Sequence, residues 1–321
     1  MNNIILNSKC YCKKALTYYK NDVIMMLPCE HLLHLKCYEL TNKKICYICE
    51  KKIISTFKLS DYKKFNEKEK SIYLQRYIDV LSMTNFDNLS SYDITKSIQN
   101  IPAMMHILGS LPFLKGFDDG LSLVTNILSM NNIKIKVLGM KKIQSGPKVF
   151  IANHTCYLDF LTSYYITKAG FLSSIEIKAT SIGRQLLEIV PILLIDRGIK
   201  SNTVEKMREY VKTYGSICIF PEGMQTHPKT IINFRTGAFN IGYPIYSLVM
   251  DYDPPLADME IKDFILKIMS GSTINIKVKI LGPYLPPFND TDIKNIRYDM
   301  AKAGHMFLSR VSNKDLEEII K

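Results

Sequence analysis

Val149-Phe150-Ile151-Ala152-Asn153-His154-Thr155-Cys156-Tyr157-Leu158-Asp159 is the stretch on which the fold turns. Its first four residues form a short apolar run, the pattern of a buried strand. Residues 157–168 then read as a helix. A strand that passes directly into a helix is the repeating unit of parallel sheets. Working outward, further strands are expected at 133–138, 175–179, 192–195, 217–220, 245–250 and 274–281. Helices are expected at 182–189, 203–214 and 291–312. The alternation predicts an α/β fold, with a largely parallel or mixed sheet flanked by helices. Sites in such sheets lie where strands end and helices begin. That rule places 153–159 at the functional edge, together with Phe220-Pro221-Glu222-Gly223, which follows the strand at 217–220.

The first block carries a candidate base. The imidazole of His154 titrates near neutral pH. Asp159, five residues on, can accept a hydrogen bond from the other ring nitrogen and orient the ring. The same spacing also suits a loop histidine followed by an aspartate that starts a helix. In the second block Pro221 gives a rigid bend, Glu222 places a carboxylate at the strand tip, and Gly223 permits close backbone approach. Between them, Ile192-Leu193-Leu194-Ile195-Asp196-Arg197 ends in a guanidinium suited to phosphate. Arg197 also suits a surface salt bridge to Asp196 or Glu205. Cys156 reads as a small buried thiol and Cys218 as core. His106, His227 and His305 read as structural or surface residues.

These three blocks, with Pro244-Ile245-Tyr246-Ser247-Leu248-Val249 after them, resemble the four blocks of the glycerolipid acyltransferases, in the same order. The resemblance covers about residues 139–281. It implies transfer of an acyl chain from acyl-CoA to the free hydroxyl of a lysophospholipid or lysophosphatidate. His154 would be the base and Asp159 its partner. Arg197 would hold the acceptor phosphate, and Glu222 and Gly223 would shape the acceptor side. Backbone amides at the start of the Tyr157 helix are the expected oxyanion donors. The chemistry needs no metal. Phosphatidic-acid-forming members carry a Thr-Arg-Ser run after Glu-Gly, whereas Gln225 stands in place of that Arg here. Lys229 and Phe234-Arg235-x-Gly237-Ala238-Phe239 resemble the layout of members that remodel phosphatidylcholine and phosphatidylethanolamine. Met224, Gln225 and His227 depart from both branches.

The N-terminus is of another kind. Six of the eight cysteines and two of the six histidines lie before residue 50. Their order is Cys10-x-Cys12, Cys29-x-His31-x2-His34-x2-Cys37, then Cys46-x2-Cys49. Eight such ligands serve two tetrahedral Zn²⁺ ions, and so short a segment needs metal to fold. Histidines at this spacing have no role in disulfides. The stretch from Leu27 to Cys37 resembles a RING finger of the H2 type. That implies interleaved sites: Cys10, Cys12, His34 and Cys37 at one ion, and Cys29, His31, Cys46 and Cys49 at the other. It also implies a ubiquitin-conjugating enzyme as a partner. A ubiquitin ligase or adaptor, with a lipid-sensing and catalytically weak acyltransferase domain, is therefore the alternative function. Glu50, the absence of Pro after Cys46 and the absence of Trp depart from the ligase pattern.

The expected organisation is a RING-like zinc module at 1–54, a helical connector at 55–100 and an acyltransferase domain at 101–321 with a membrane-proximal start. The formal net charge of +12 favours anionic partners such as phospholipid headgroups. Lys and Arg are spread along the chain without an Arg-rich tail, which argues against nucleic acid. Residues 1–6 are too short for a secretory leader. No stretch reaches the roughly 18–20 apolar residues of a spanning helix. Residues 101–114 suit either a segment lying in a membrane interface or a buried helix–turn. The expected location is the cytoplasmic face of an intracellular membrane.

Overall fold

The computed structural model describes residues 23–27, 31–41, 44–46, 50, 52–53, 55–58, 79, 82, 95, 100–179, 181–196, 202–256 and 261–320. Along the chain the elements begin with β1 (Val23–Leu27), β2 (His31–His34), α1 (Leu35–Thr41), β3 (Ser55–Lys58), α2 (Ile101–Ser110) and α3 (Phe117–Met130). Next come β4 (Ile133–Leu138), β5 (Lys148–Ala152), α4 (Leu158–Thr167), β6 (Gly170–Ser174), α5 (Ser181–Ile189) and β7 (Ile192–Ile195). They are followed by α6 (Thr203–Tyr214), β8 (Ser216–Ile219), β9 (Thr230–Ile231), β10 (Ile245–Asp253) and α7 (Ile261–Met269). The chain closes with β11 (Ile274–Tyr284), α8 (Asp290–Gly304), β12 (Phe307–Leu308) and α9 (Asn313–Ile320).

These elements fall into two units. One comprises Met1–Asp87, Lys229–Asn233 and Phe307–Lys321, and the other Asn88–Pro228 and Phe234–Met306. In the first unit β2-β1-β3 form an antiparallel sheet, and β12 pairs in parallel with β9. Ile24 and Met26 alternate along β1 and are both buried, giving that small sheet one apolar face.

The second unit holds a seven-stranded sheet in the order β4-β11-β10-β5-β8-β6-β7. Every neighbouring pair is parallel except β10 with β11. Burial explains the sequence of each strand. Central β5 has Val149, Phe150, Ile151 and Ala152 all buried, because helices cover both faces of a parallel sheet. Edge strand β4 instead alternates, with Ile133 buried and Lys134 exposed. Phe150, Leu158, Phe171, Tyr246, Leu248 and Ile276 belong to the apolar cluster at its centre. Each such side chain contributes about 1.5–3 kcal/mol on burial.

Some expected elements were displaced. Residues 175–179 form a 3-10 turn, and the strand is β6 just before them. Ile175-Glu176-Ile177-Lys178 mimics strand alternation, while Gly170 and the two serines of β6 disguise a real strand. Gly170 is there for space: a Cβ would come within 2.0 Å of the Tyr210 hydroxyl and 2.6 Å of Pro191 O. The helix expected to reach 312 ends at Gly304, where His305 takes a left-handed conformation (φ 53°). Helices α3 and α7 were not anticipated. Among the described residues, no helix is long and apolar enough to cross a membrane.

Candidate functional site

The site begins where β5 stops. Asn153 extends the ladder by one side chain: Oδ1 accepts from Met250 N–H (2.8 Å) and Nδ2 donates to Met250 O (3.0 Å). The chain then turns out of the sheet and presents His154. The loop closes on the first turn of α4, where Asp159 Oδ2 accepts from Thr155 N–H (2.5 Å) and Cys156 N–H (2.9 Å). The same oxygen lies 2.9 Å from His154 Nδ1. Tyr252, near the end of β10, donates its hydroxyl to Asp159 Oδ1.

Asp159 is fully buried, and its oxygens meet two amides, the Tyr252 hydroxyl, the Cys156 thiol and His154 Nδ1. An ionised carboxylate is acceptor-only, so the neutral His154 tautomer that fits this contact has the proton on Nδ1 and the lone pair on Nε2. Burial, then the charge of Asp159, pushes the Tyr252 phenol well above its ordinary range, keeping it a donor. The same two causes push the Cys156 thiol up. Burial lifts Cys218 to about 12. Neither thiol is therefore poised as a nucleophile.

The second block is stitched to the first through the main chain. Glu222 Oε1 accepts from His154 N–H (3.0 Å), and Oε2 accepts from the Thr226 hydroxyl (2.9 Å). Thr226 N–H donates back to His154 O (2.8 Å). Glu222 is fully buried in this role, whereas Gly223 is half-buried and lines a cavity. Phe220 stacks on the imidazole at 4.3 Å between centroids, and Phe160 meets it edge-on at 5.2 Å. Two rings and one carboxylate thus fix the plane of His154.

A cavity of about 720 Å³ opens on this ring. It is lined by residues at the carboxyl ends of β5, β8, β6 and β7, among them His154, Phe220, Ser173 and Asp196, and by Gly223 and Arg235 from the chain that follows β8. No described residue makes a hydrogen bond to His154 Nε2. Of the amides around the start of α4, those of Thr155 and Cys156 donate to Asp159, and that of Asp159 donates to Cys156 O. Arg197 lies outside the described residues, although its neighbour Asp196 lines the cavity.

The N-terminal ligand set is only partly visible. Cys10, Cys12, Cys29 and Cys49 lie outside the described residues, as does the side chain of His31. His34 and Cys37 are buried side by side, with Cys37 Sγ 4.0 Å from His34 Nδ1. Cys46 is buried as well. Among the described residues, no group of three or more metal-ligating side chains comes together.

The structure brings together His154, Asp159 and the Glu222 turn, which the sequence singles out, and adds Tyr252, Thr226, Phe160 and the clamp from Asn153 to Met250, which it does not. Nothing local marks Tyr252, which is ninety-three residues from Asp159.

Residues 134–251 match the family described as Acyltransferase. A relative from Arabidopsis thaliana, "Lysophospholipid acyltransferase LPEAT1", is 23% identical over 191 residues, covering 53% of this chain and 48% of that protein. The "Probable 1-acyl-sn-glycerol-3-phosphate acyltransferase" of Mycoplasma pneumoniae is 22% identical over 191 residues, covering 54% of this chain and 71% of that protein. The crystal structure of the 1-acyl-sn-glycerophosphate (LPA) acyltransferase PlsC from Thermotoga maritima aligns at a TM-score of 0.44 and 14% identity, over 66% of this chain and 93% of that one. The chain thus spans 48% of the length of the plant relative. The family match and the two sequence relatives support the resemblance to glycerolipid acyltransferases drawn from the four blocks. They give no support to the RING-like reading of the N-terminus.

Proposed function

We propose that the chain transfers an acyl group from acyl-CoA to the free hydroxyl of a lysophospholipid or lysophosphatidate. The observation that carries this reading is His154: Nδ1 is bound to a buried carboxylate at 2.9 Å, and the ring lines the cavity. In the proposed reaction Nε2 takes the proton of the acceptor hydroxyl as its oxygen attacks the thioester carbonyl. Asp159 stabilises the imidazolium that forms. The tetrahedral intermediate then collapses: the carbon–sulfur bond breaks, the ester remains, and the thiolate of CoA takes the proton from Nε2. Arg197 is proposed to hold acceptor phosphate. Gly223 shapes the acceptor side, and Glu222 does so by fixing the turn against the main chain of His154. The match over 134–251 supports the reaction class.

The reading is tested by assaying wild type and His154→Ala with acyl-CoA and a panel of lysolipids. Turnover that is equal in both proteins would end the assignment of His154.

Two further proposals go with it. The stretch from 101 to 117 exposes Ile101, Met105, Phe113 and Phe117, which supports contact with a membrane surface, where both acyl chains reside. Deleting 101–114 should then release the protein into the soluble fraction. Residues 1–54 are proposed as the zinc module, preceding a connector at 55–100 and the catalytic domain at 101–321. The 4.0 Å between His34 and Cys37 is close to the ~3.6 Å separating N and S ligands of one tetrahedral ion. Purified protein without zinc by elemental analysis would remove that module.

A further inference from the structure

The cavity beside His154 holds a guanidinium that the mechanism above does not use. Arg235 is tied to the 220–223 turn through its main chain, with its N–H donating to Pro221 O at 2.8 Å. Its stem then crosses Gly223. A Cβ on that glycine would meet Arg235 Cδ at 3.0 Å and Nη1 at 3.4 Å. Gly223 also has a φ of 79°, a conformation that side chains other than glycine rarely adopt. The turn is thus shaped to let an arginine lie across it.

Among the described residues the charge so placed has no counter-ion. Arg235 is exposed and lines the cavity with His154, Thr236 and Gly237. Glu176 and Asp196 line the same cavity, yet among the described residues no carboxylate lies within ion-pair distance of Arg235. Glu176 is engaged by the Ser174 hydroxyl. A guanidinium presents a planar fork of donors that matches phosphate oxygens two at a time. Held over a turn at the mouth of a reaction cavity, it is arranged for an anionic ligand.

We propose that Arg235 is the cationic contact for a substrate phosphate in this cavity, carried by the acceptor lipid or by the nucleotide portion of a CoA thioester. This rests on the acyltransferase reading for the identity of its ligands. Equilibrium binding to the full chain tests it, using hexanoyl-lysophosphatidate, CoA and the phosphate-free hexanoylglycerol. Arg235→Gln should weaken one of the two phosphate ligands about tenfold or more, the value of a charge-assisted bidentate contact. Arg235→Lys, which keeps the charge and loses the fork, should fall between. Hexanoylglycerol binding and thermal unfolding should not change. Loss confined to lysophosphatidate assigns the contact to the acceptor, and loss confined to CoA assigns it to the donor. The proposal is overturned if both ligands bind the variant as well as wild type, if wild type binds neither, or if hexanoylglycerol is weakened equally. Turnover is measured separately. A chain with Arg235-dependent binding and no acyl transfer would sink the enzymatic reading and leave this contact standing.

Discussion

Two buried aspartates, one in each unit, are held in opposite ways. Asp79 accepts Arg310 N–H (2.8 Å), Arg310 Nε (2.8 Å) and the Ser309 hydroxyl (3.1 Å), with Arg310 Nη2 at 2.6 Å. A permanent cation therefore answers its charge. Asp159 is as fully buried, but its fixed donors are two main-chain amides and a phenol. All three are neutral, so among the described residues the one partner that could answer its charge with a cation is the His154 ring. A carboxylate paired with arginine can do no more than fasten. One that waits for a proton on its neighbour can favour the charged state of that neighbour, which is what a general base requires.

The contrast can be broken most severely at the imidazole. His154→Ala should lower turnover about 10²–10⁴-fold, the usual worth of a positioned base, while thermal unfolding stays close to wild type. Asp159→Asn keeps the shape and removes the charge. It should cost a similar factor in kcat, with little change in KM, as steady-state kinetics will show. Asp79→Asn is its counterpart: kcat should be unchanged, and denaturant unfolding should lose about 1–3 kcal/mol, moderated by the half-exposed position of Arg310. If Asp79→Asn abolished turnover while Asp159→Asn only unfolded the protein, the division of labour would be reversed. Tyr252→Phe removes one neutral donor from Asp159 and should slow turnover about tenfold, measured at saturating lysolipid. Cys156→Ala should be smallest, within about threefold of wild type, because burial and Asp159 keep that thiol protonated. A loss of several hundredfold there would point to a thiol nucleophile instead.

Much of this was legible because the relevant residues are close in sequence. Asp159 lies five residues after His154, within one loop and one helical turn. The apolar runs of β5, β8 and β10 announced buried strands, and the bend after β8 is written in Pro221 and Gly223. What could not be read is set by pairings across the sheet. Nothing in the residues of β10 says that it lies between β5 and β11, parallel to one and antiparallel to the other. That placement alone brings Tyr252 behind Asp159. Glu222 was legible as a residue that matters but not in its aim, since a carboxylate after a proline looks the same whether it faces a ligand or a main-chain amide. The N–H of His154 decides that, and only the folded chain places it 3.0 Å from Glu222 Oε1.

The bond from Asn153 to Met250 has an outcome that reaches past the site. Strand β10 is paired with β5 from Ile245 to Leu248, and two residues later its main chain is gripped again by an amide side chain. The histidine loop therefore departs from a splice instead of a frayed end. Deuterium uptake at the Met250 amide would report whether that loop is intact, without any substrate present. Replacing Asn153 with leucine would let the strand ends breathe and blur the aim of the imidazole while every group of the reaction stayed in place.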